Sequence, residues 1–373
     1  MLIHVDHTGS VAGLKQCITS LLQHPETKGL LIFACDDNGF TPASVNPVLQ
    51  ELPVPVFGGI FPELIYQQDK LTKGTIVAGL TVTPNVQVIS GLSDMSVDYE
   101  AILDDKIPDL GRAKTMFVFV DGLSQRISAL IDSLFNIFGL EVNYIGGGAG
   151  SLSFVQKPCL FTRQGLIQDS AVLALAELKS GVGVSHGWRT ISGPFKVTEA
   201  DRNIIKSLDW QPAFEVYRQV VEKASDQTFT GNNFFEIAKG FPFGINKLGA
   251  EKIVRDPIQV TPEGGLVCVG EVPPESFVDI LSGNLNSLVD AASNALFLGQ
   301  EAFGGDPTPQ TNLFIDCISR VLFLEDDFSL ELAAVASQNT PMIGALTLGE
   351  IANSGKDYLE FYNKTAVIGV LEG

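Results

Sequence analysis

The residues with the most chemistry to offer gather late in the chain. Cys317 follows Asp316 directly, and Arg320 stands three positions on, at the end of a strand-like stretch. A cationic neighbour lowers a thiol's pKa and makes it a nucleophile. The same group can instead hold an amino-acid-like ligand. Arg320 would grip a carboxylate in bidentate fashion, and Asp316 or Glu350 would take an ammonium. Arg255 is a second candidate carboxylate clamp, and equally a candidate for an ordinary surface ion pair. An enzyme would need a base beside the thiol, and the nearest in sequence are carboxylates, not histidines. The expectation is ligand binding or a purely structural role for this group, with no catalytic residue assigned and a Cys317-dependent enzyme as the alternative.

Two glycine-rich motifs invite other chemistry. Residues 145–151 read IGGGAGS after a strand. A phosphate-binding loop of that kind requires a helix directly after the glycines. Here LSFVQKPCLF follows, which is strand-like and contains a proline. Gly147, Gly148 and Ser151 are instead expected in a turn that is purely structural or lines a ligand pocket. Residues 183–187 (GVSHG) match the spacing of a nucleophile elbow, which needs a sharp strand-to-helix turn. The residues that follow read as strand, so a serine hydrolase is set aside. The acidic clusters at 36–37 and 325–327 lack the spacing of a metal loop and read as solvated turns. No cofactor or metal is expected.

An internal repeat supplies the elements that must position these residues. Three stretches open with an apolar strand ending in acidic or thiol groups: residues 30–37, 116–121 and 312–317. Each is followed by a helix-like segment and a short strand running into glycine, at Gly59, Gly148 and Gly344. Each closes with a β-rich strand, at 74–82, 170–176 and 365–371. In the second unit, Ile127, Leu130, Ile131, Leu134 and Ile137 form one helical face, with Ser124 as its expected cap. The third unit's helix is expected at 330–337. Because the strands lack strict alternation, both of their faces should be covered. The glycines mark a tight turn or close backbone approach.

Outside the repeat, a helix should begin near Pro212. Strands are expected at 252–254 and 266–269, a helix from Ser282 or Asn284 to about 298, and a loop at 304–309. The fold class is α/β: layered mixed β-sheets flanked by helices, in two domains at 1–225 and 226–373.

Composition removes several classes of partner. The 43 acidic and 24 basic residues give a net charge of −19 with no basic run. Nucleic acid and anionic membrane surfaces both need clustered Lys and Arg. No apolar run approaches the ~20 residues of a membrane span, and the N-terminus has no secretory pattern. The five cysteines are odd in number and widely spaced, which points to reduced thiols and a cytoplasmic location.

Several segments together carry a family resemblance over nearly the whole length. Residues 145–152 (IGGGAGSL), 185–198 (SHGWRTISGPFKVT) and 208–217 (LDWQPAFEVY) resemble the N-terminal domain of FIST proteins. Residues 267–276 (VCVGEVPPES), 314–320 (FIDCISR), 343–351 (IGALTLGEI) and 362–371 (YNKTAVIGVL) are similar to the C-terminal one. One departure stands in the first unit, where FPEL at 61–64 replaces the glycine-bearing LGEI of the third. The resemblance implies a sensory protein that binds a small metabolite, with amino acids or their derivatives as the usual ligands. Such domains are often fused to a signalling output. This sequence leaves no room for one, so a separate output protein is expected. A scaffold that binds only protein is a further alternative.

Overall fold

A computed structural model describes residues 1–247, 252–305, 309–337, 339–353 and 358–373. The three repeated units have one geometry. In each, the opening strand pairs in parallel with the second strand: Gly29–Cys35 with Val56–Phe61, Thr115–Asp121 with Asn143–Ala149, and Gln310–Cys317 with Met342–Thr347. The closing strand then pairs antiparallel with the opening strand: Thr75–Leu80, Ser170–Ala176 and Ala366–Glu372. A parallel pair cannot be joined by a tight turn. The crossovers are the helices Pro42–Gln50, Ile127–Phe138, and Ile318–Leu324 with Phe328–Val335.

The recurring glycines lie inside the second strands and not in tight turns. Gly58, Gly146 and Gly344 face the same carbonyl in each unit. A Cβ there would sit 2.0, 1.8 and 1.9 Å from the oxygens of Ile32, Val118 and Phe314. Close approach is thus the reason for these glycines, and the IGGGAGS segment is mostly strand rather than turn.

After the second strand, each unit extends a hairpin onto a neighbouring unit. The first unit's Glu63–Tyr66 pairs with Met342–Thr347 of the third. The third unit's Glu350–Asn353 pairs with Asn143–Ala149 of the second. The second unit's Leu160–Thr162 pairs with Val56–Phe61 of the first. The exchange closes as a ring of three within one chain.

The three sheets share one apolar centre. Phe33 meets Phe61 and Phe119 edge-on, at 5.4 and 5.5 Å between ring centroids, and Phe57 meets Phe117 at 5.2 Å. Ile315, Ile343 and Val367 of the third sheet reach the same cluster. The opposite faces lie under helices. Met116, Val118 and Val120 pack with Leu130, Ile131 and Leu134 of Ile127–Phe138. Strands buried on both faces explain the unbroken apolar runs.

Ser124 does not cap that helix. Its hydroxyl donates to Asp169, and the capping position falls to Arg126, which makes no side-chain cap bond. The third unit's later helix spans Phe328–Val335, starting before the expected 330. Pro212 stands immediately before the helix Ala213–Ser225. Asn284 and Ser287 form a reciprocal capping box for Leu285–Phe303. Residues 306–308 of the expected 304–309 loop lie outside the described residues.

The helix Leu285–Phe303 packs on the strand Ser180–Ser185. A Cβ at Gly183 would lie 1.9 Å from the Ala295 carbonyl, so the GVSHG motif makes room for a helix instead of exposing a nucleophile.

A fourth sheet is antiparallel and curled. Its two outer strands, Ile253–Arg255 and Pro257–Val260, are consecutive in the chain with only Asp256 between them. Among the described residues, no helix is long and apolar enough to cross a membrane.

Gly146→Ala should cost about 1–3 kcal/mol by overpacking. Gly231→Ala, with open space around it, should stay within about 0.5 kcal/mol. Urea denaturation of both variants checks the pair.

Candidate functional site

The chemistry-bearing residues meet at the carboxyl ends of the parallel strands. Arg320 lies in the first turn of Ile318–Leu324 and is wholly buried. A guanidinium has five N–H groups, and each has a protein acceptor. Nε and Nη2 donate to Glu331 Oε1 at 3.0 and 2.6 Å. Nη1 donates to the carbonyls of His186 (2.9 Å) and Lys364 (3.3 Å), and Nη2 also to that of Leu288 (3.0 Å). None is left for a ligand carboxylate, so Arg320 is placed as a structural tie.

Asp316 lies 3.1 Å from Arg320 Nε, yet its oxygens accept no hydrogen bond. Burial, then the adjacent Glu331, push its carboxyl well above the usual range. Burial raises the Glu331 carboxyl too, opposed first by Arg320.

Glu350 is buried behind Cys317. Thr347 Oγ1 donates to it at 2.9 Å and the Thr365 N–H at 3.2 Å. Burial raises its carboxyl to about 8 against these bonds and that of Cys317. The Cys317 thiol is itself pushed well up, first by burial and then by Glu350. That is the reverse of thiol activation.

The segment 348–350 is stitched to the glycine strand. The Leu348 N–H donates to Gly148 O at 2.9 Å, and the Gly148 N–H to Gly349 O at 2.8 Å, while Gly147 faces Glu350 in register. Ser151 donates to Asp36 at 2.6 Å and is buried. Arg255 is buried too. It donates to the carbonyls of Glu271, Val254 and Phe361, and burial lowers it to about 10, still cationic at neutral pH. It is a buried tie between the curled sheet and the third unit's hairpin, not a surface ion pair.

A cavity of about 440 Å³ opens beside this group. That is within the usual range for small-molecule sites. Its walls come from Gly122, Leu123, Leu152 and Phe154 of the second unit, Cys317 to Ser319, Leu322, Leu348 and Asn363 of the third, and Asp256, Ile258 and Val269 of the curled sheet with Phe235 of the helix Phe234–Ala238 beside it. Of the eight residues singled out in the sequence, only Cys317 lines it.

Asp256 was missed, and its signal was slight: an acid between two short strands, ahead of a proline. It is 2% exposed. Its Oδ2 holds Lys364 Nζ at 3.2 Å, while Oδ1 has no hydrogen-bond partner. Burial raises its pKa, opposed by Lys364 and the nearby Ser319 hydroxyl.

Larger hollows exist, one of about 620 Å³ along Trp210 and Pro212. Trp210 is 76% exposed there, and the lining residues include no buried charge. The smaller cavity is the candidate, because an apolar wall there meets a buried carboxylate at the strand ends, where α/β sheets bind ligands.

Arg320→Met leaves Glu331 buried without its cation and should cost about 3–5 kcal/mol, read by denaturant unfolding. Glu350 predicts a pH effect. An acid whose folded pKa, about 8 here, exceeds its unfolded value near ~4.3 keeps a proton that the unfolded chain has released. Its contribution is complete below the unfolded value and is lost as pH rises through the folded one. Glu350→Gln should therefore be the more favourable substitution at pH 8 than at pH 5. Unfolding curves of both proteins at the two pH values test this.

Comparison with known proteins agrees with this architecture. No curated protein matches the chain significantly. Two family models do: the FIST N domain over residues 29–211 and the FIST C domain over 213–353. Between them they span the three units except for the last closing strand and part of the third hairpin. The chain belongs to the FIST family, whose domains are associated with sensory and signal-transduction roles.

Proposed function

We propose that this protein senses a small metabolite, of the size of an amino acid or its derivatives, in the cavity beside Cys317. The observation that carries the reading is the cavity's construction. Its walls belong to the second unit, the third unit and the curled sheet at once. A ligand contacting all three couples their relative positions, which is what a sensor must do to report occupancy. Leu152 and Phe154 line the cavity yet are 40% and 61% exposed, so an occupant would also cover apolar surface at its mouth.

Binding without conversion is favoured over catalysis. A thiol raised by burial and by a neighbouring carboxylate is a poor nucleophile. The five cysteines are all buried and unpaired, in keeping with a reducing, cytoplasmic setting. The signal would pass to a separate output protein.

Thermal unfolding against a metabolite panel tests the reading. A ligand at ~100 times its dissociation constant stabilises by roughly 2.7 kcal/mol, a few degrees in a chain of this size. Leu322→Trp, which fills the cavity, should abolish the shift, and the ligand should be recovered unchanged. A shift that survives Leu322→Trp places binding elsewhere, and a converted ligand makes the protein an enzyme.

A further inference from the structure

The cavity's polar groups narrow its ligand, on the reading that it is the binding site. Among the described residues lining it there is no lysine, arginine or histidine. The polar side chains are Asp256, Cys317, Ser319 and Asn363, and the rest of the wall is leucine, isoleucine, valine, phenylalanine and glycine. The nearby cations are committed elsewhere. Arg320 has given all five N–H groups to protein acceptors. Lys364 is fully buried, pairs with Asp256 Oδ2, donates to the Lys239 carbonyl at 2.9 Å and stands over the Trp188 ring. The Ser319 N–H in the first turn of the adjacent short helix is turned to the Cys317 sulfur.

A ligand carboxylate would thus lose its water to an apolar wall, with a carboxylate already there and no cation to meet it. Burying an uncompensated charge is strongly unfavourable. By contrast, Asp256 lines the cavity, and its Oδ1 is a buried acceptor with no partner at hydrogen-bond distance. Buried acceptors of this kind nearly always have a partner. A donor brought by a ligand would supply it.

We infer that the cavity takes an apolar small molecule whose head group donates a hydrogen bond to Asp256, an amine or an alcohol, and that carries no carboxylate. An amino acid fits this chemistry only after losing its carboxylate, as an amine does. The apolar body lies against Leu123, Leu322 and Leu348, and Phe154 closes over it. Selectivity comes from the absence of a counter-ion as much as from the orphan acceptor, since a site rejects a ligand whose charge it leaves unpaired.

Matched probes separate the parts of this inference. Indolylethyl, phenylethyl and hexyl bodies are each presented with four heads: amine, hydroxyl, carboxylate, and the amino-acid zwitterion. Binding to the full-length protein is measured by calorimetry and by thermal shift. Amine or hydroxyl members should bind at least about tenfold more tightly than the carboxylate and zwitterion members of the same body. Leu322→Trp should remove that binding. Asp256→Asn, with its fold checked by circular dichroism, should weaken the amines more than the alcohols. Carboxylates or zwitterions that bind as well as the amines overturn the inference and leave the pocket reading standing. No binding by any member, or binding that survives Leu322→Trp, overturns both.

Discussion

The structure depends on one buried guanidinium. Arg320 joins the helix that carries it to Glu331 of the next helix, to His186 after the strand Ser180–Ser185, to Leu288 of the long helix, and to Lys364 before the last strand. A charge in a dry interior is tolerated only when every donor finds an acceptor. That requirement fixes where these five pieces of chain stand. Its contribution is to specificity of arrangement more than to net stability, since desolvating the ions offsets much of their attraction. The acids around it obey the same constraint. Burial pushes both Asp316 and Glu350 toward their neutral forms, and for Asp316 the neighbouring Glu331 and Glu350 add to it.

Around this tie the three units are held by exchange. Each lends a hairpin to a neighbour's sheet, so no unit completes its sheet alone. Such head-to-tail pairing makes rings when the rotation closes, and here the ring closes within one chain. The in-strand glycines belong to the same design. Each opening strand brings a carbonyl to within 2.0 Å of where a Cβ would stand on its parallel partner. The shared phenylalanine centre then fills the space among the sheets.

The cavity follows from how this ring meets the curled sheet. That sheet bends until its edges are adjacent in the chain, and Asp256 sits at the junction. The junction faces residues of the second and third units across a gap that no described element fills. The wall is apolar because leucine, isoleucine, valine and phenylalanine side chains from separate parts of the fold converge on it. It is short of cations because the nearby Arg320, Arg255 and Lys364 hold the frame together.

Local physics made much of the fold legible in the sequence. Apolar runs bounded by glycine and acids gave the nine strands of the units. The 3.6-residue period of Ile127, Leu130, Ile131 and Leu134 marked a helix, and Ser282 or Asn284 marked the start of another, of which Asn284 is the cap. These are properties of segments a few residues long. The site was less legible, because its meaning lies in pairings between distant positions. Arg320 and His186 stand 134 positions apart, and Arg255 and Phe361 stand 106 apart. From sequence, Arg320 was a candidate clamp for a ligand carboxylate; in the fold, all of its donors have protein acceptors. The sequence by itself determined the repeated units, their order and their family. Only the tertiary structure decided which hairpin crossed to which sheet, which arginine was spent on the frame, and that Asp256 was left with an unmet acceptor. The reason is physical: strand and helix formation depend on neighbours in the chain, whereas burial and hydrogen-bond satisfaction depend on neighbours in space.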